Sequence, residues 1–368
     1  MKKRRVTFFG KLWLLIGIAL AIALLLGIQA GNADPRKHAL IAFFGLAYPF
    51  ILMLNAVMIV LWVVRGRLIF ALITVVIIIS GWHALIATVG IFGERGEGAK
   101  SDPDLVRMMT YNVHSFKKYG EDSNEGVKQQ MLAVVRKEDP DIICFQEYYT
   151  RRKGSYDITD SLKLMLKTSN YYFVSSSENS YEGTGLAIFS RYPIVGKGII
   201  AFSADHGGNA SIYIDIMVKD KKIRVYNVHL QSISFDKQDY NYLDKVKEME
   251  TEITPAKRIL RMLKTAFVKR SEQVDIMKAH MKTCETPFLI AGDFNDTPAS
   301  YAVTQLTKSL NNSFVEQGIG LGRTYNGKFP NFQIDYISAT KTIKIINHRI
   351  IQAKLSDHFP VRSDMRIN

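Results

Sequence analysis

Acidic residues are almost missing from the first quarter of this 368-residue chain. Residues 1–93 contain nine Lys or Arg but a single acid, Asp34, whereas the remaining residues carry 39 basic and 33 acidic side chains. Much of the net charge of +14 therefore belongs to the N-terminal part. The remainder carries only +6, so the basic composition does not by itself argue for binding to nucleic acid.

Cysteine is also scarce, because the chain has only Cys144 and Cys284. Both lie beside predicted strands, where a small buried thiol is a commoner role than a disulfide or a metal ligand. Two cysteines therefore indicate neither a redox compartment nor a metal site.

Charged residues are nearly absent from three long apolar segments, at residues 12–30, 39–64 and 68–92. Each is long enough to cross a bilayer core of about 30 Å at about 1.5 Å per residue. A signal peptide competes as the interpretation of the first segment, and buried helices of a soluble domain compete for all three. Segments of this length without a polar face favour the membrane. We predict a membrane region over residues 1–93 with three transmembrane helices.

The basic residues of this region predict its orientation, because Lys and Arg favour the cytoplasmic side. With the N-terminus inside, the first outer loop holds only Arg36 and Lys37. The cytoplasmic segments hold the other seven, which are Lys2, Lys3, Arg4, Arg5, Lys11, Arg65 and Arg67. Three spans then place the C-terminal domain outside the cytoplasmic membrane. Pro49, Asn55 and His83 lie within the spans, and we interpret them as sites of helix packing and hydrogen bonding.

Residues 94–104 are predicted to be a linker, and residues 105–368 to be the second domain. Short apolar strands alternate there with helical patterns, such as a strand at 106–114, a helix at 125–138 and a strand at 141–147. Further strands are predicted at 171–175, 185–190 and 343–351, a helix at 160–167, and a hairpin over 209–230. Residues 271–281 have the pattern of an amphipathic helix that covers the sheet. Residues 235–265 are either part of such a cover or a lid or lipid-facing arm.

The stretch IAGDFND at residues 290–296 follows an apolar strand and places polar side chains at its end. If the chain stays extended past Gly292, Asp293 and Asn295 project from the same face. A carboxylate can take a proton from water, and an amide can stabilise a developing oxyanion. Alternatively, the two residues only cap a loop before the next helix.

Other apolar segments also end in polar side chains. Acids, amides and histidines are costly to bury unless they serve one another or a cation, so their recurrence indicates a functional site. The set consists of Asn112, Glu147, His229, Asp293, Asn295, Asp335, Asp357 and His358.

In their sequences and in their order along the chain, these motifs resemble those of the endonuclease/exonuclease/phosphatase superfamily, of the deoxyribonuclease I type. The resemblance covers residues 105–368 and not the membrane region. The motifs that carry it are TYNV at 110–113, QE at 146–147, YEGTG at 181–185, NVHL at 227–230, GDFN at 292–295, IDY at 334–336 and SDH at 356–358. The resemblance implies an α/β fold, a four-layer sandwich of two mixed β-sheets flanked by helices. It also implies a catalytic divalent ion, usually Mg²⁺, with Mn²⁺ as an alternative.

The resemblance also implies roles for individual residues. Glu147 resembles the main metal ligand, with Asn112 and Asp357 nearby. Asp293 resembles the general base and Asn295 a donor to the transition-state oxygens. His358, paired with Asp335, is expected to contact the phosphate. His229 resembles a second histidine found in the nuclease and sphingomyelinase branches, and Tyr181 is expected to hydrogen-bond a phosphate oxygen.

The sequence therefore predicts a membrane-anchored, Mg²⁺-dependent phosphoester hydrolase that acts by in-line attack of water. It contains no motif that selects a substrate. A nuclease is slightly favoured, and a lipid or inositol phosphate phosphoesterase is the alternative, since the bilayer would place the site near lipid headgroups. A catalytically inactive binding domain is the third hypothesis, against which the complete set of acids and histidines counts.

Overall fold

The N-terminal region is mostly helical in the part that the structure describes. The computed structural model describes residues 8–91, 93–117, 125–203, 209–233, 253–327 and 332–367. The basic residues 2–5 and residues 235–252 of the predicted arm lie outside these ranges. The N-terminal helices are α1 (Phe8–Gln29), α2 (Pro35–Leu46), α3 (Tyr48–Val64), α4 (Leu68–Ser80) and α5 (Trp82–Thr88).

One of these helices, α1, is by itself long and apolar enough to cross a membrane. The second and third predicted spans are not continuous, because α2 and α3 meet at an angle of 54° and α4 and α5 at 79°. Counting each bent pair as one span raises the number to three at most. The breaks have local causes. Pro49 lies in the first turn of α3 and has no N–H to donate, and Gly81 separates α4 from α5, where a Cβ would lie 2.5 Å from Ile28.

Helices α1, α3 and α4 pack against one another. Asn55 of α3 donates from Nδ2 to the carbonyl of Leu20 in α1 at 3.1 Å, as well as to Ile51 one turn earlier. Gly17 allows close approach of α1 to Trp62, since a Cβ there would lie 2.6 Å from the indole ring. Asn55 therefore has the interhelical hydrogen bond that the sequence predicted.

The rest of the chain is built on two large β-sheets, and Val89–Gly90 forms a separate antiparallel pair with Gly320–Leu321. The first has the order β13-β15-β2-β3-β5-β4, with β14 beside β15, and the second has the order β10-β12-β9-β8-β7-β6. Both sheets are mixed. The pairs β2 with β3 and β8 with β9 are parallel, and the other pairs are antiparallel.

The strands are β1 (Val89–Gly90), β2 (Val106–Asn112), β3 (Ile142–Arg151), β4 (Tyr171–Glu178), β5 (Glu182–Ser190), β6 (Ile194–Ala201), β7 (Ala210–Val218), β8 (Lys221–His229), β9 (Phe288–Asp293), β10 (Asn311–Asn312), β11 (Gly320–Leu321), β12 (Asp335–Ala339), β13 (Ile343–Ile345), β14 (Arg349–Ile350) and β15 (Val361–Ile367).

Three buried layers of apolar side chains hold the sheets and helices together. Between the sheets, Met108 and Ile188 of the first meet Ile214 and Leu289 of the second. Helices α6 (Glu125–Glu138) and α7 (Ile158–Leu166) cover the outer face of the first sheet, and α8 (Ile253–Lys282) and α9 (Tyr301–Thr307) that of the second. A short helix, α10 (Ser313–Gln317), follows β10. The mixed-sheet α/β fold predicted from the sequence is confirmed, with helices on both outer faces.

Local differences from the predicted elements are small. The strand predicted at 343–351 is interrupted between β13 and β14, and β6 was not predicted. The amphipathic helix predicted at 271–281 is the second half of α8 and contributes Val274 and Met277 to the core. Residues 253–265 of the predicted arm form the first half of α8.

An apolar contact joins α8 to the N-terminal region. Ala42 of α2 lies in one buried cluster with Ile259, Leu263 and Phe267 of α8, and the rings of Phe43 and Phe267 meet edge to face at 5.2 Å. The exposed apolar positions expected of a free amphipathic helix are therefore covered by α2.

Polar contacts continue the same interface. Arg36 pairs with Asp275 of α8 at 2.7 Å. Gln305 of α9 donates to the carbonyl of Gly31 at 2.9 Å, and Thr297 donates to the carbonyl of Gly45 at 3.1 Å. The N-terminal helices thus contact the loop that directly follows the 290–296 stretch.

The burial of His348, between β13 and β14, predicts that acid lowers the stability of the fold. Its Nδ1 lies 2.9 Å from the hydroxyl of Ser313, and burial lowers its pKa to about 3. In the unfolded chain the pKa is about 6.5. Above about pH 6.5, His348 is neutral in both the folded and the unfolded state, so it does not change the free energy of unfolding with pH. As pH falls from about 6.5 towards 3, only the unfolded state gains the proton, so stability falls by about 1.4 kcal/mol per pH unit.

We therefore expect the full chain in detergent to lose more stability between pH 7 and pH 5 than its His348→Phe variant, measured as the free energy of unfolding in urea. The comparison is between the two pH-dependent losses, so that any constant effect of the substitution cancels. Equal losses would show that His348 titrates normally in the fold.

Candidate active site

Most of the predicted site residues meet at one end of the two sheets. The parallel register sets Asn112 at the end of β2 opposite Gln146, and His229 at the end of β8 opposite Asp293 at the end of β9. Gly292 permits the close approach of β8 and β9, because a Cβ would lie 2.0 Å from the carbonyl oxygen of Val228, and its φ is +143°. The carboxyl ends of parallel strands therefore bring these side chains together.

Asp293 is the centre of this group and is buried. Asn112 donates from Nδ2 to its Oδ2 at 3.1 Å, and the backbone N–H of Asn295 donates to its Oδ1 at 2.8 Å. The Nε2 atoms of His229 and His358 each lie 3.7 Å from the same Oδ2. Burial raises the pKa of Asp293 to about 6 in spite of the opposing charge of His358. A carboxylate with this pKa can accept a proton near neutral pH.

His358 is held by Asp335, which pairs with Asp293 across β12 and β9. Its Nδ1 lies 3.1 and 3.0 Å from the two carboxylate oxygens of Asp335. Burial lowers the pKa of this imidazole, but the charges of Asp335, Asp293 and Asp357 outweigh it and raise the pKa well above the usual range. His358 is therefore an imidazolium that points Nε2 towards Asp293.

Asp293, Asp335 and His358 also have the spacing of a metal site, since one ligand atom from each lies within 4.8 Å of the others. In the structure, however, the imidazolium already balances the charge of one of the two carboxylates. The arrangement suits proton transfer and phosphate contact at least as well as metal binding.

Glu147 lies at an irregularity in the pairing of β3 with β5, with a φ of 49°. A bulge of this kind redirects a side chain. Burial raises the pKa of Glu147, but the hydrogen bond from His114 and the charges of the neighbouring histidines prevail and lower it to about 2. Glu147 is therefore ionised at any physiological pH.

The three predicted metal ligands, Asn112, Glu147 and Asp357, lie around His114. Its Nδ1 is 3.2 Å from Glu147 Oε2 and 3.9 Å from Asp357 Oδ1, and its backbone N–H donates to Asn112 Oδ1 at 3.2 Å. Two carboxylates and one amide oxygen are hard donors of the kind that Mg²⁺ binds while keeping several waters. The residues present therefore fit such an ion.

His114 is a site residue that the sequence did not single out. It follows Asn112 by two positions, but its backbone and those of Ser115 and Phe116 are left-handed, with φ of 43°, 57° and 58°. Three such residues without glycine are not predictable from propensity. The hydrogen bond with Glu147 raises the pKa of His114.

Two predicted site residues lie differently from the expectation. The extended conformation ends at Asp293, because Asn295 has a φ of 52° and donates from Nδ2 to the carbonyl of Leu230 at 2.9 Å. Asn295 therefore does not project beside Asp293 as a continued strand would require. Tyr181 lies half exposed in the turn before β5, with the guanidinium of Arg151 5.3 Å from its ring centroid. The structure does not bring it into the buried group.

Two other motif residues, Gln146 and Asn227, join the sheets. Gln146 donates to Asn227 Oδ1 at 2.6 Å, and Asn227 donates to the carbonyls of Phe145 and Ala187 at 2.8 and 3.0 Å. Both are fully buried, and their bonds hold β8 against β3 and β5. Some residues of the sequence motifs therefore hold the two sheets together and are not themselves candidates for catalysis.

His229 differs from Gln146 and Asn227 in its hydrogen bonding. Within the part of the chain that the structure describes, its buried Nε2 has no hydrogen-bond partner. The atom faces Asp293 at 3.7 Å. A buried polar nitrogen left without a partner suits a site where a substrate oxygen binds.

Comparison with known proteins agrees with this geometry. The model of the Endonuclease/Exonuclease/phosphatase family matches residues 109–259, and a model described as Domain of unknown function (DUF8431) matches residues 10–88. A comparison with curated proteins gives no match. The family resemblance drawn from the motifs is confirmed.

Two solved structures share the fold of this chain. One is an endonuclease/exonuclease/phosphatase family protein from Bacteroides thetaiotaomicron, at 18% identity and a TM-score of 0.53, over 73% of this chain and 99% of that chain. The other is the endonuclease/exonuclease/phosphatase from Bacteroides vulgatus, at 16% identity and a TM-score of 0.51, over 72% of this chain and 99% of that chain. At such identities the likeness concerns the fold.

Proposed function

We propose that this chain is a membrane-anchored, Mg²⁺-dependent phosphoester hydrolase of the endonuclease/exonuclease/phosphatase type. The observation that carries the proposal is the position of Asp293. It is a buried carboxylate with a pKa of about 6, and two imidazole Nε2 atoms lie 3.7 Å from one of its oxygens. Glu147, Asn112 and Asp357 lie beside it with the donors of a hard cation.

In the proposed reaction, Asp293 takes the proton of the attacking water, and Asn112 and the Asn295 N–H orient its carboxylate. The His358 imidazolium, fixed by Asp335, neutralises phosphate oxygens, and His229 Nε2 donates to another of them. Glu147, Asn112 and Asp357 would hold the ion. Mg²⁺, when bound there, supplies positive charge to the phosphate and to its leaving oxygen.

A phosphodiester of nucleic acid is the substrate class that we slightly favour. The guanidinium of Arg151 lies over the rings of Tyr149, Tyr156 and Tyr181 at 5.9, 5.5 and 5.3 Å. Aromatic rings beside cations are typical of surfaces on which bases stack. A lipid or inositol phosphate is the second candidate, because the N-terminal helices would keep the domain at a bilayer.

We expect the full chain purified in detergent to hydrolyse one of these classes with Mg²⁺, and EDTA to abolish the reaction. Plasmid DNA, RNA, phospholipid vesicles, sphingomyelin and inositol phosphates would be offered in parallel, with Mn²⁺ as a second metal. Because Glu147 is the proposed main ligand, Glu147→Gln should raise the Mg²⁺ concentration for half-maximal rate by about tenfold or more. A Lys264→Gln variant, on the exposed face of α8, serves as the control.

Failure on every substrate with either metal would favour a binding domain without catalysis. An unchanged Mg²⁺ requirement in Glu147→Gln would contradict the proposed ligand set while leaving the hydrolase proposal intact.

The second part of the proposal concerns topology, with three spans and the catalytic domain outside the cytoplasmic membrane. The ends of α1 and α2 contact the catalytic domain through Gly31 and Gly45. The turn between α3 and α4 lies at the other end of the helices, where Arg65 and Arg67 pack on Trp13 and Trp62. Cations and indoles at that end support a cytoplasmic interface.

A reporter that is active only after export should therefore be active when fused after Asn368 and inactive when inserted at Gly66 in the turn between α3 and α4. Cytoplasmic behaviour of the C-terminal fusion would contradict three spans with this orientation.

A further inference from the structure

A cavity of about 600 Å³ lies between the N-terminal helices and the catalytic domain. The ends of α1 and α4 and one side of α5 form one wall, and α9, α10 and the turn after β12 form the other. Its volume is in the range typical of sites for small molecules. None of the proposed catalytic residues lines it, so it is distinct from the active site.

One side of this interface cavity carries positive charge. Lys308 and Lys341 line it, and their ammonium groups donate to the amide oxygens of Gln305 at 3.0 Å and Asn311 at 2.8 Å. Neither forms an ion pair with a carboxylate among the residues that the structure describes. Glu316 is the one acid in the lining and leaves the two lysines in excess.

The other side of the interface cavity is apolar and belongs to the membrane region. Ile28 of α1 and Ile86 of α5 line it. On the adjacent surface, Ile79 and Trp82 are 56% and 48% exposed, as expected of side chains that face lipid. The cavity therefore joins an apolar surface to a cationic edge at the catalytic-domain end of the helices.

We propose that the interface cavity binds the headgroup of an anionic phospholipid. Its phosphate would lie between Lys308 and Lys341, and its glycerol and first acyl carbons would lie against Ile28 and Ile86. Basic pockets between membrane helices bind such headgroups on the cytoplasmic side. The same charge attraction acts on an anionic headgroup in the outer leaflet, where the proposed topology places this cavity. The inference rests on the membrane location proposed above and not on the hydrolase activity.

The bound lipid would also contact the loop that follows the active-site strand. Pro298 and Ala299 line the cavity, and Thr297 beside them donates to the Gly45 carbonyl. This loop begins directly after Asp296, which Arg270 holds at 2.9 Å. The headgroup is therefore a third component of the contact between the helices and the catalytic domain.

The test is native mass spectrometry of the full chain in detergent, titrated with phosphatidylglycerol and, separately, with phosphatidylcholine. We expect tighter retention of phosphatidylglycerol. Lys308→Gln and Lys341→Gln should each weaken it by roughly fivefold. Glu316→Gln should strengthen it, because the substitution removes the one negative charge of the lining. Lys264→Gln, on the exposed face of α8, is the matched control and should have no effect.

Several results would overturn the proposal. These are equal retention of the two lipids, equal effects of the Lys308 and Lys264 substitutions, and weaker binding in Glu316→Gln, which would indicate recognition of an ammonium group. Displacement of the lipid by millimolar inorganic phosphate would show a site for free phosphate instead.

Two further readouts separate this proposal from the others. Asp293→Asn should retain phosphatidylglycerol like the unmodified chain, so that loss of hydrolysis leaves the lipid result unaffected. Release of the chain from membranes by alkaline carbonate would contradict the membrane location, on which the lipid site depends.

Discussion

Hydrolysis by an Asp293→Asn variant should fall by about a thousandfold or more, within the range usual for loss of a general base together with its oriented charge. The amide has the same shape and keeps a carbonyl oxygen to accept the N–H of Asn295, while its NH2 group replaces the oxygen that accepts from Asn112. It cannot take a proton from water. The measurement is the initial rate in Mg²⁺ on whichever substrate the unmodified chain hydrolyses.

Stability should not fall with activity in this variant. Burial raises the pKa of Asp293 to about 6, above the value of about 3.9 in an unfolded chain. Its contribution to stability is thus present below about pH 4 and is lost as pH rises through 6. Removing the charge should leave the variant at least as stable as the unmodified chain at pH 8. Near-normal turnover, or unfolding at pH 8, would contradict the assignment.

His358→Ala is expected to lower the rate by a hundredfold to about ten-thousandfold, because it removes the imidazolium that we propose contacts the phosphate. Asp335→Asn should change the pH dependence of the rate through its effect on the His358 imidazole. The charge of Asp335 raises the pKa of His358, so its loss allows His358 to lose its proton at lower pH. The alkaline limb of the rate profile should then move to lower pH.

The measurement is the pH dependence of the rate for the unmodified chain and for Asp335→Asn. An alkaline limb that stays in place would show that the protonation of His358 is not needed. Asp139→Asn is a suitable control, since this exposed carboxylate pairs with Arg191 and lies outside the active site.

The sequence predicted those site residues whose positions depend on strand ends. Asn112, Asp293 and His358 each follow or end an apolar segment, and the alternation of buried strands brings such ends together. His114 was missed because three left-handed residues turn it back, and no glycine or asparagine marks that turn. Asn295 would project beside Asp293 only if the strand continued past Asp293, but β9 ends there and Asn295 lies in the loop, as the alternative interpretation had it.

The membrane region illustrates another limit of sequence reasoning. Hydropathy identified the apolar segments, but it does not register a bend at Pro49 or Gly81. It also does not indicate that α2 covers the apolar face of α8. That contact joins residues more than two hundred positions apart in the chain, and only the folded structure decides which surfaces meet.

The pairing of α2 with α8 means that the linker at 94–104 is not a place where this protein can be cut into two independent halves. A fragment beginning at Ser101 would place Ile259, Leu263 and Phe267 in water, at a cost of about 1.5–3 kcal/mol for each fully uncovered side chain. Such a fragment should self-associate through these uncovered apolar side chains of α8. The N-terminal helices therefore belong to the same folding unit as residues 105–368, and joining these residues to a different membrane anchor would require a substitute for α2.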